Sequence, residues 1–262
     1  MRKVLFLSYK PDMDLGSLVD CGANELIVPL NALSKGRWDS LRSLNMRVGI
    51  YVAGTSGQTC PLDPVERRRL RDDFEEALSY QPDAIWADHM RFDGYWEGLQ
   101  GGVIPNTHRE CQWCRGVNRV GVINEIAEFM KQQAAGNCEL GYFAVPFKPV
   151  DVSSLVTDLS QDHKTLAKHF DFVSPMLYHR MIGKPASYIS EYVSWLAGET
   201  GKPIVPIIQV KDMPGEDTLS VNEMRRAFAE ATKLPSAGVA WFTWEAALEQ
   251  SKTDIIRSLF EL

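Results

Sequence analysis

The sequence predicts a single (β/α)8 barrel, an α/β fold in one domain that spans residues 1–262. Three observations predict it: eight short β-rich runs, helical patterns in the gaps between them, and a first run without a glycine-rich phosphate turn after it. Several runs are apolar nearly throughout, which is typical of parallel strands that are covered on both faces. An open doubly wound sheet is the alternative, and it usually carries such a glycine-rich turn.

The strands and helices alternate from one end of the chain to the other. The predicted strands are Val4–Tyr9, Leu26–Leu30, Arg47–Ala53, Ala84–Met90, Leu140–Phe147, Phe172–Tyr178, Ile204–Val210 and Val239–Trp244. Apolar residues three, four and seven positions apart predict helices between them, as in the set Ile189, Tyr192, Val193 and Leu196. A single long insertion, residues 95–115, follows the fourth strand. Loops at that end of a barrel build active sites, so we expect a lid or rim there.

Composition limits the classes of partner. The net charge is −6, and basic residues do not form a block outside a helix, so we expect no nucleic-acid partner. Apolar stretches do not approach the ~20 residues of a membrane span, so we expect no membrane partner. The short apolar run after the basic start does not make a secretory leader, and we expect a cytoplasmic protein as the chain stands, or a secreted one if a leader was removed. The sequence does not predict an oligomeric state.

Polar and aromatic residues follow the predicted strands. An apolar strand has no packing reason to end in Asp88, His89 and Arg91. In a barrel of parallel strands, all such residues meet at one mouth. Sugar rings suit this mixture, because their CH faces stack on flat aromatic rings and their hydroxyls bond to charged and amide groups. The predicted substrate-binding residues are Tyr9, Asn31, Arg91, Asp93, Tyr178, His179, Gln209, Trp241 and Trp244.

Three segments together resemble a known family. Residues 83–92 (DAIWADHMRF) resemble the D-G-I-x-x-D-Y-x-R-F motif on strand 4 of glycoside-hydrolase-like barrels, which are relatives of the α-amylase-type and chitinase-type superfamilies. Residues 171–178 (DFVSPMLY) are similar to their sixth strand, D-x-V-S-P-M-x-Y. Residues 238–244 (GVAWFTW) are similar to their last strand, G-x-x-x-W. The order and spacing of the segments also fit, so the resemblance covers most of the barrel.

The resemblance implies a glycosidase. It implies that Asp88 is the central carboxylate, a nucleophile or electrostatic stabiliser, that Arg91 orients it, and that Tyr178 lines the sugar subsite. Cleavage needs a second carboxyl group, and here the chain departs from its relatives. The closing Glu of the chitinase-type strand-4 motif and the strand-5 acid of the amylase type are both missing. The candidates for the second group are therefore Glu245 and Asp212, then Asp93. This chemistry requires no organic cofactor.

Five cysteines, an odd number in a long chain, do not predict a disulfide framework. Cys111 and Cys114 form a C-x-x-C in the insertion, His108 precedes them by three residues, and Cys60 lies in the neighbouring loop after strand 3. Such ligands predict a structural zinc site. A loop with free thiols or a reversible disulfide is the alternative interpretation.

Two other functions remain open. A glycan-binding barrel without catalysis would account for the missing strand-5 acid. A metal-dependent hydrolase or deacetylase would use Asp88, His89 and His179, although the chain has only five histidines and no H-x-H pair after strand 1. A second carboxyl group that faces Asp88 would favour the glycosidase over both.

Overall fold

The computed structural model describes residues 1–7, 14–55, 59–92, 94–96, 103–105, 111–152, 154–211 and 219–262. The strands are β1 (Arg2–Phe6), β2 (Glu25–Pro29), β3 (Arg47–Ala53), β4 (Ala84–Asp88), β5 (Gly94–Trp96), β6 (Val103–Pro105), β7 (Glu139–Ala144), β8 (Phe172–Pro175), β9 (Ile207–Gln209) and β10 (Gly238–Phe242). The α-helices are α1 (Lys35–Arg42), α2 (Pro64–Ser79), α3 (Arg119–Ala134), α4 (Ser154–Thr157), α5 (His163–Leu166), α6 (Ser187–Thr200), α7 (Val221–Ala231), α8 (Trp244–Glu249) and α9 (Thr253–Phe260).

Eight of the strands form one parallel sheet in the order β8-β7-β4-β3-β2-β1-β10-β9. Two isolated parallel bridges, Val173 to Ile204 and Met176 to Ile207, connect the two ends of this sheet. The sheet is therefore nearly closed, and the flanking helices make it a (β/α)8 barrel. The predicted fold is confirmed.

All the predicted barrel strands except β3 differ from the observed ones by one to three residues at one or both ends, and two of these differences have a local cause. β9 covers only Ile207–Gln209 of the predicted 204–210 segment, because Pro206 has no N–H to donate to a ladder. β10 ends at Phe242, and Trp244 begins helix α8. The hydroxyl of Thr243 accepts a hydrogen bond from the N–H of Ala246, so it caps this helix. The last aromatic residue of the predicted strand thus belongs to a helix.

The core has two layers that follow the period of two along each strand. Inside the barrel, Phe6, Trp86, Phe143 and Phe172 pack edge to face, with Phe6 5.9 Å from Trp86 and 5.5 Å from Phe143 between ring centroids. The alternate residues of each strand pack outward against the helices in a second, larger cluster. The parity of a residue on its strand therefore decides whether it faces the barrel interior.

An ion pair fills the amino-terminal end of the barrel. Arg2 donates two hydrogen bonds of 2.7 Å to Glu25, whose side chain is completely buried. The guanidinium of Arg2 also lies over the rings of Phe172 and Trp86, at 4.2 and 5.3 Å from their centroids. This end of a barrel contributes to stability rather than to chemistry.

The insertion after β4 contains a short antiparallel hairpin, which the sequence did not predict. Its strands β5 and β6 pair Tyr95 with Ile104 and Trp96 with Val103. The hairpin follows the carboxyl end of β4, where Asp88, His89 and Arg91 also lie. None of the helices in the described ranges combines the length and the apolar character that a membrane span requires.

Candidate active site

A cavity of about 300 Å³ opens at the carboxyl ends of the barrel strands. Its position is that of the active sites of barrel enzymes. Its wall is mostly apolar, and the polar side chains in it are few. The lining residues are Phe6, Leu7, Pro29, Tyr51, Asp88, Phe143, Met176, Tyr178, Ile207, Phe242 and Thr243.

Asp88 is the last residue of β4, and its side chain is only 14% exposed. The phenol of Tyr51 donates a hydrogen bond of 3.0 Å to its Oδ2. The backbone N–H of His89 donates one of 2.6 Å to its Oδ1. The Nε2 of His89 lies 3.6 Å from Oδ2. Both oxygens of Asp88 therefore accept hydrogen bonds, and the carboxylate is held in one orientation.

Aromatic rings surround this carboxylate. Tyr51 stacks on Phe143 with centroids 5.7 Å apart and planes at 22°. Phe242 packs against Phe6 at 5.5 Å and against Tyr178 at 5.7 Å. A charged acceptor within an aromatic wall can bind a hydroxyl of a ligand whose apolar face packs on the rings.

Tyr178 is 7% exposed and lies in the electrostatic field of Asp88. Burial raises the pKa of its phenol well above the ordinary range, and the negative charge of Asp88 raises it further. Its hydroxyl therefore stays protonated and is available as a donor to a ligand in the cavity.

Arg91 does not hold Asp88, contrary to the role that the resemblance implied. Among the described residues, the partners of Asp88 are Tyr51 and His89. Arg91 donates instead to the backbone oxygen of Phe92 at 3.1 Å. The chain turns at His89, which has a φ of +48°, and the backbone N–H of Phe92 donates to the oxygen of Leu159.

Trp241 and Trp244 do not lie in the cavity wall either. Both are 0% exposed and belong to the layer between the strands and the helices. Trp241 has the outward parity on β10 and stacks on Phe228 of α7, with planes at 5°. Trp244 lies in α8 and donates to the Oγ of Ser17 at 3.1 Å. Phe242, which follows Trp241 in the sequence, faces the barrel interior and lines the cavity.

Four further predicted residues have described positions. Gln209 is buried at the end of β9 and donates to the oxygen of Lys211 at 2.9 Å. His179 is buried directly after Tyr178. Glu245 is buried in the first turn of α8, two residues after the cavity residue Thr243. Asn31 lines a second cavity of about 230 Å³, together with the other edge of Tyr51. The remaining predicted residues, Tyr9, Asp93, His108 and Asp212, lie outside the described residues.

Sequence reasoning missed the residues that make most of the wall, Tyr51 above all. The available signal was strand parity. Trp86 and Asp88 share the inward face of β4, and Tyr51 is directly opposite Trp86 in the parallel register. A tyrosine that faces inward near the end of β3 is therefore expected to lie close to Asp88.

The structure brings together three of the predicted metal ligands. The Sγ atoms of Cys60, Cys111 and Cys114 all lie within 4.8 Å of one another, and none of the three forms a disulfide in the described part of the chain. Burial raises the pKa of the Cys60 thiol. Burial also acts to raise the pKa of Cys111, but hydrogen bonds from the backbone of Trp113 and Cys114 and from the neighbouring thiols outweigh it, and the net shift is downward.

Asp88, His89 and His179 do not form such a cluster. Within the described parts of the chain, the cysteine group alone brings three ligand atoms close enough for a metal ion. The described residues therefore do not support the metal-dependent hydrolase at the mouth of the barrel.

Comparison with known proteins places the fold among glycoside hydrolase domains. Neither a family model nor a curated protein matches the sequence. Among solved structures, the glycoside hydrolase domain of PgaB (BpsB) from Bordetella bronchiseptica matches with a TM-score of 0.71 and 11% identity over 99% of each chain. The Bacillus cereus spore cortex-lytic enzyme SleL matches with a TM-score of 0.63 and 9% identity over 97% of this chain and 73% of that chain. A mutant of a class V chitinase from Cycas revoluta, in complex with (GlcNAc)3, matches with a TM-score of 0.62 and 13% identity over 99% and 100%.

Proposed function

We propose that the protein is a glycosidase that cleaves a glycosidic bond in an oligo- or polysaccharide, with Asp88 as its central carboxylate. The observation that carries this proposal is the position of Asp88 in an aromatic-walled cavity at the carboxyl end of the barrel. The fold shared with glycoside hydrolase domains supports it.

The cavity offers what a sugar ring needs. Phe143, Phe242 and Tyr51 supply flat surfaces for its CH faces. Asp88 supplies an acceptor and Tyr178 a protonated hydroxyl for its oxygens. Because Tyr51 and the backbone of His89 both donate to Asp88, this carboxylate is arranged to face positive charge that develops on the sugar. That is the role of a nucleophile or electrostatic stabiliser.

The second carboxyl group comes from Glu245, Asp212 or Asp93. Glu245 is supported by its place two residues after Thr243, which lines the cavity. A separation of about 5–5.5 Å from Asp88 would give retention of configuration, and about 6.5–9.5 Å would give inversion. Each candidate is replaced in turn by its amide. The variant that lacks the general acid should lose activity on natural substrates and recover it on substrates whose leaving group needs no protonation.

The substrate class to test first follows from the neighbours. The chitinase neighbour was solved with (GlcNAc)3, and a further neighbour, Ega3 from Aspergillus fumigatus, was solved with galactosamine. We therefore propose amino-sugar oligomers as the first candidates for the cavity, ahead of neutral glucose or galactose oligomers.

The test is hydrolysis of a panel of aryl-glycosides and oligosaccharides by wild type and by Asp88→Asn. We expect a loss of about 10³-fold in kcat/KM for Asp88→Asn, within the range for a group that takes part in the chemistry. Asp254→Asn is the matched control, since this carboxylate is 94% exposed on α9. Circular dichroism verifies that both variants fold. Full activity of Asp88→Asn would contradict the proposal.

A glycan-binding barrel without catalysis is the second candidate. One observation favours it: among the described lining residues, Asp88 is the only carboxylate. Binding of a glycan by wild type, weakened in Asp88→Asn and Phe242→Ala, together with the absence of hydrolysis over days, would establish this function instead.

A further inference from the structure

Three cysteines from two different loops meet beside the barrel. Cys60 lies in the loop that enters α2, and Cys111 and Cys114 lie in the loop that enters α3. Cys60 and Cys114 are 5% and 2% exposed, and Cys111 is half-buried. The three cysteines are not among the described residues that line the cavity, and the proposed glycosidase chemistry does not use them.

Backbone hydrogen bonds define the turns at Cys60 and Cys114. The backbone oxygen of Cys60 accepts from the N–H of Asp63, the residue that caps α2. The oxygen of Cys114 accepts from the N–H of Val117, at the end of a run of turns that leads to α3. The two helices are themselves linked, because Arg67 of α2 bonds to Glu125 of α3 at 3.2 Å. The two loops that carry the cysteines therefore lead into two helices that contact each other.

The spacing of the sulfurs suits a tetrahedral metal ion. With metal–sulfur bonds of about 2.3 Å, the sulfurs of a tetrahedral zinc site are about 3.8 Å apart. The observed separations are at most 4.8 Å, so an inward rotation of the side chains by about 1 Å would complete the triangle. A single disulfide would use two of the thiols and leave the third buried beside it. A shared metal ion, in contrast, explains why all three sulfur atoms face one another.

We propose that Cys60, Cys111 and Cys114 bind one structural Zn²⁺ ion. Three soft thiolates select Zn²⁺ over Mg²⁺ or Ca²⁺, which prefer oxygen ligands. The positive charge of Arg119 acts on Cys114 and offsets part of the negative charge that three thiolates bring. The proposal rests on the three cysteines; His108, which the sequence suggests as the fourth ligand, lies outside the described residues.

The site fastens the insertion to the barrel. Cys111 and Cys114 lie at the end of residues 95–115, and Cys60 belongs to the loop after β3, the strand that carries Tyr51. A metal bond between the two loops would therefore tie the carboxyl end of the insertion, at Cys111 and Cys114, to the loop that follows β3. This role is independent of whether the cavity hydrolyses or only binds a glycan.

The experiment is metal analysis of the full chain purified under reducing conditions. We expect about one zinc ion per chain by elemental mass spectrometry in wild type, and a loss of at least tenfold in zinc affinity for Cys60→Ser, Cys111→Ser and Cys114→Ser. Cys21→Ser and Cys138→Ser are the matched controls, because these free cysteines lie outside the cluster, and they should keep the metal.

A second measurement does not require the variants to fold. Zinc is removed from wild type with a chelator, and Co²⁺ is added in its place. We expect thiolate-to-cobalt charge-transfer absorption and the ligand-field bands of a tetrahedral ion. Absence of any Zn²⁺ or Co²⁺ binding, retention of the metal by the three cluster variants, or a Cys60 disulfide in the protein as purified, before any chelator is added, by non-reducing peptide mapping would each overturn the proposal.

Discussion

Tyr51 donates its phenolic hydrogen to Asp88 across the boundary between β3 and β4. The parallel register pairs Tyr51 with Trp86 and Ala53 with Asp88, so the phenol reaches one step diagonally toward the mouth of the barrel. The ring of Tyr51 is fixed in turn by stacking on Phe143 of β7. An aromatic contact in the barrel wall thus sets the orientation of the carboxylate that the proposed chemistry depends on.

The first prediction concerns this hydrogen bond. Tyr51→Phe keeps the ring and its stacking and removes only the donor. A hydrogen bond to a charged group contributes about 1.5–3 kcal/mol, so we expect kcat/KM to fall about 10- to 100-fold, mostly in kcat. Steady-state kinetics on the best substrate of the panel measures this. Tyr80→Phe, at a tyrosine that packs on Trp38 far from the cavity, should leave the rates unchanged. Equal rates for wild type and Tyr51→Phe would show that the bond plays no part in the reaction.

The second prediction separates two adjacent aromatic residues of β10. Phe242 lines the cavity, and its replacement by alanine should raise KM or the ligand Kd about 2- to 12-fold, the value of one aromatic contact. Trp241 faces the helices, and Trp241→Ala should lower the free energy of unfolding by about 3–5 kcal/mol without changing KM for the folded protein. Urea titrations and kinetics on both variants test the assignment. A large KM change in Trp241→Ala would place that ring in the substrate site after all.

The eight strands and the closing barrel were predictable because their signal is local. Runs such as Leu26–Leu30 and Arg47–Ala53 carry their apolar residues within the strand itself, and helical stripes such as Ile189–Leu196 carry theirs within the helix. The position of Asp88 at the end of β4 was predictable for the same reason.

The wall of the site was less predictable because it depends on parity and pairing. A shift of one residue exchanges the two faces of a strand, and this is why Trp241 was expected where Phe242 lies. The end of β10 could not be located from Trp241, Phe242 and Trp244, which are equally aromatic. The capping by Thr243 that turns Trp244 into a helix is visible only in three dimensions.

The third prediction concerns the ion pair at the opposite end of the barrel. Glu25→Gln removes the buried negative charge that Arg2 contacts at 2.7 Å and Arg47 at 3.8 Å, and Arg2 keeps only its 3.4 Å contact with the half-exposed Glu139. Removal of one member of a buried pair costs about 3–5 kcal/mol. The exposed pair Arg67–Glu125 is the control, and Glu125→Gln should cost less than about 1 kcal/mol. Urea unfolding measures both. Catalytic rates of folded Glu25→Gln should equal those of wild type, since Glu25 lies at the amino-terminal end. An unfolding free energy equal to that of wild type would mean that Arg2 contributes through Glu139 and its aromatic contacts and not through Glu25.

The fourth prediction follows from the proposed zinc site. Binding to the folded state alone at 100 times the Kd adds about 2.7 kcal/mol of stability. In a chain of this size, that corresponds to about 5–10 °C in Tm. Addition of a chelator should lower the Tm of wild type by this amount and leave that of Cys60→Ser unchanged. Re-addition of Zn²⁺ should restore it in wild type only. A chelator effect of equal size in Cys60→Ser would point to an ion bound elsewhere.

The last prediction concerns His163, which is completely buried in α5 and shares a hydrogen bond of 3.0 Å with the phenol of Tyr142. Burial lowers the pKa of this imidazole to about 4, although the charge of Asp162 acts in the opposite direction. The unfolded chain, with its ordinary value near 6.5, therefore binds more protons than the folded protein between about pH 6.5 and 4. Stability is then complete above about pH 6.5 and falls as the pH decreases toward 4, by up to about 1.4 kcal/mol per pH unit.

Urea unfolding at pH 7, 5.5 and 4.5 tests this sign and size. His163→Gln has no group to titrate, so its free energy of unfolding should change less between pH 7 and 4.5 than that of wild type, by about 2–3 kcal/mol. His169→Gln is the control, since this imidazole is less buried and its pKa is also lowered, chiefly by burial. It should keep most of the wild-type dependence, because the larger shift remains at His163. Parallel pH profiles of the unfolding free energy for wild type and His163→Gln would mean that protonation of other groups causes the loss of stability in acid.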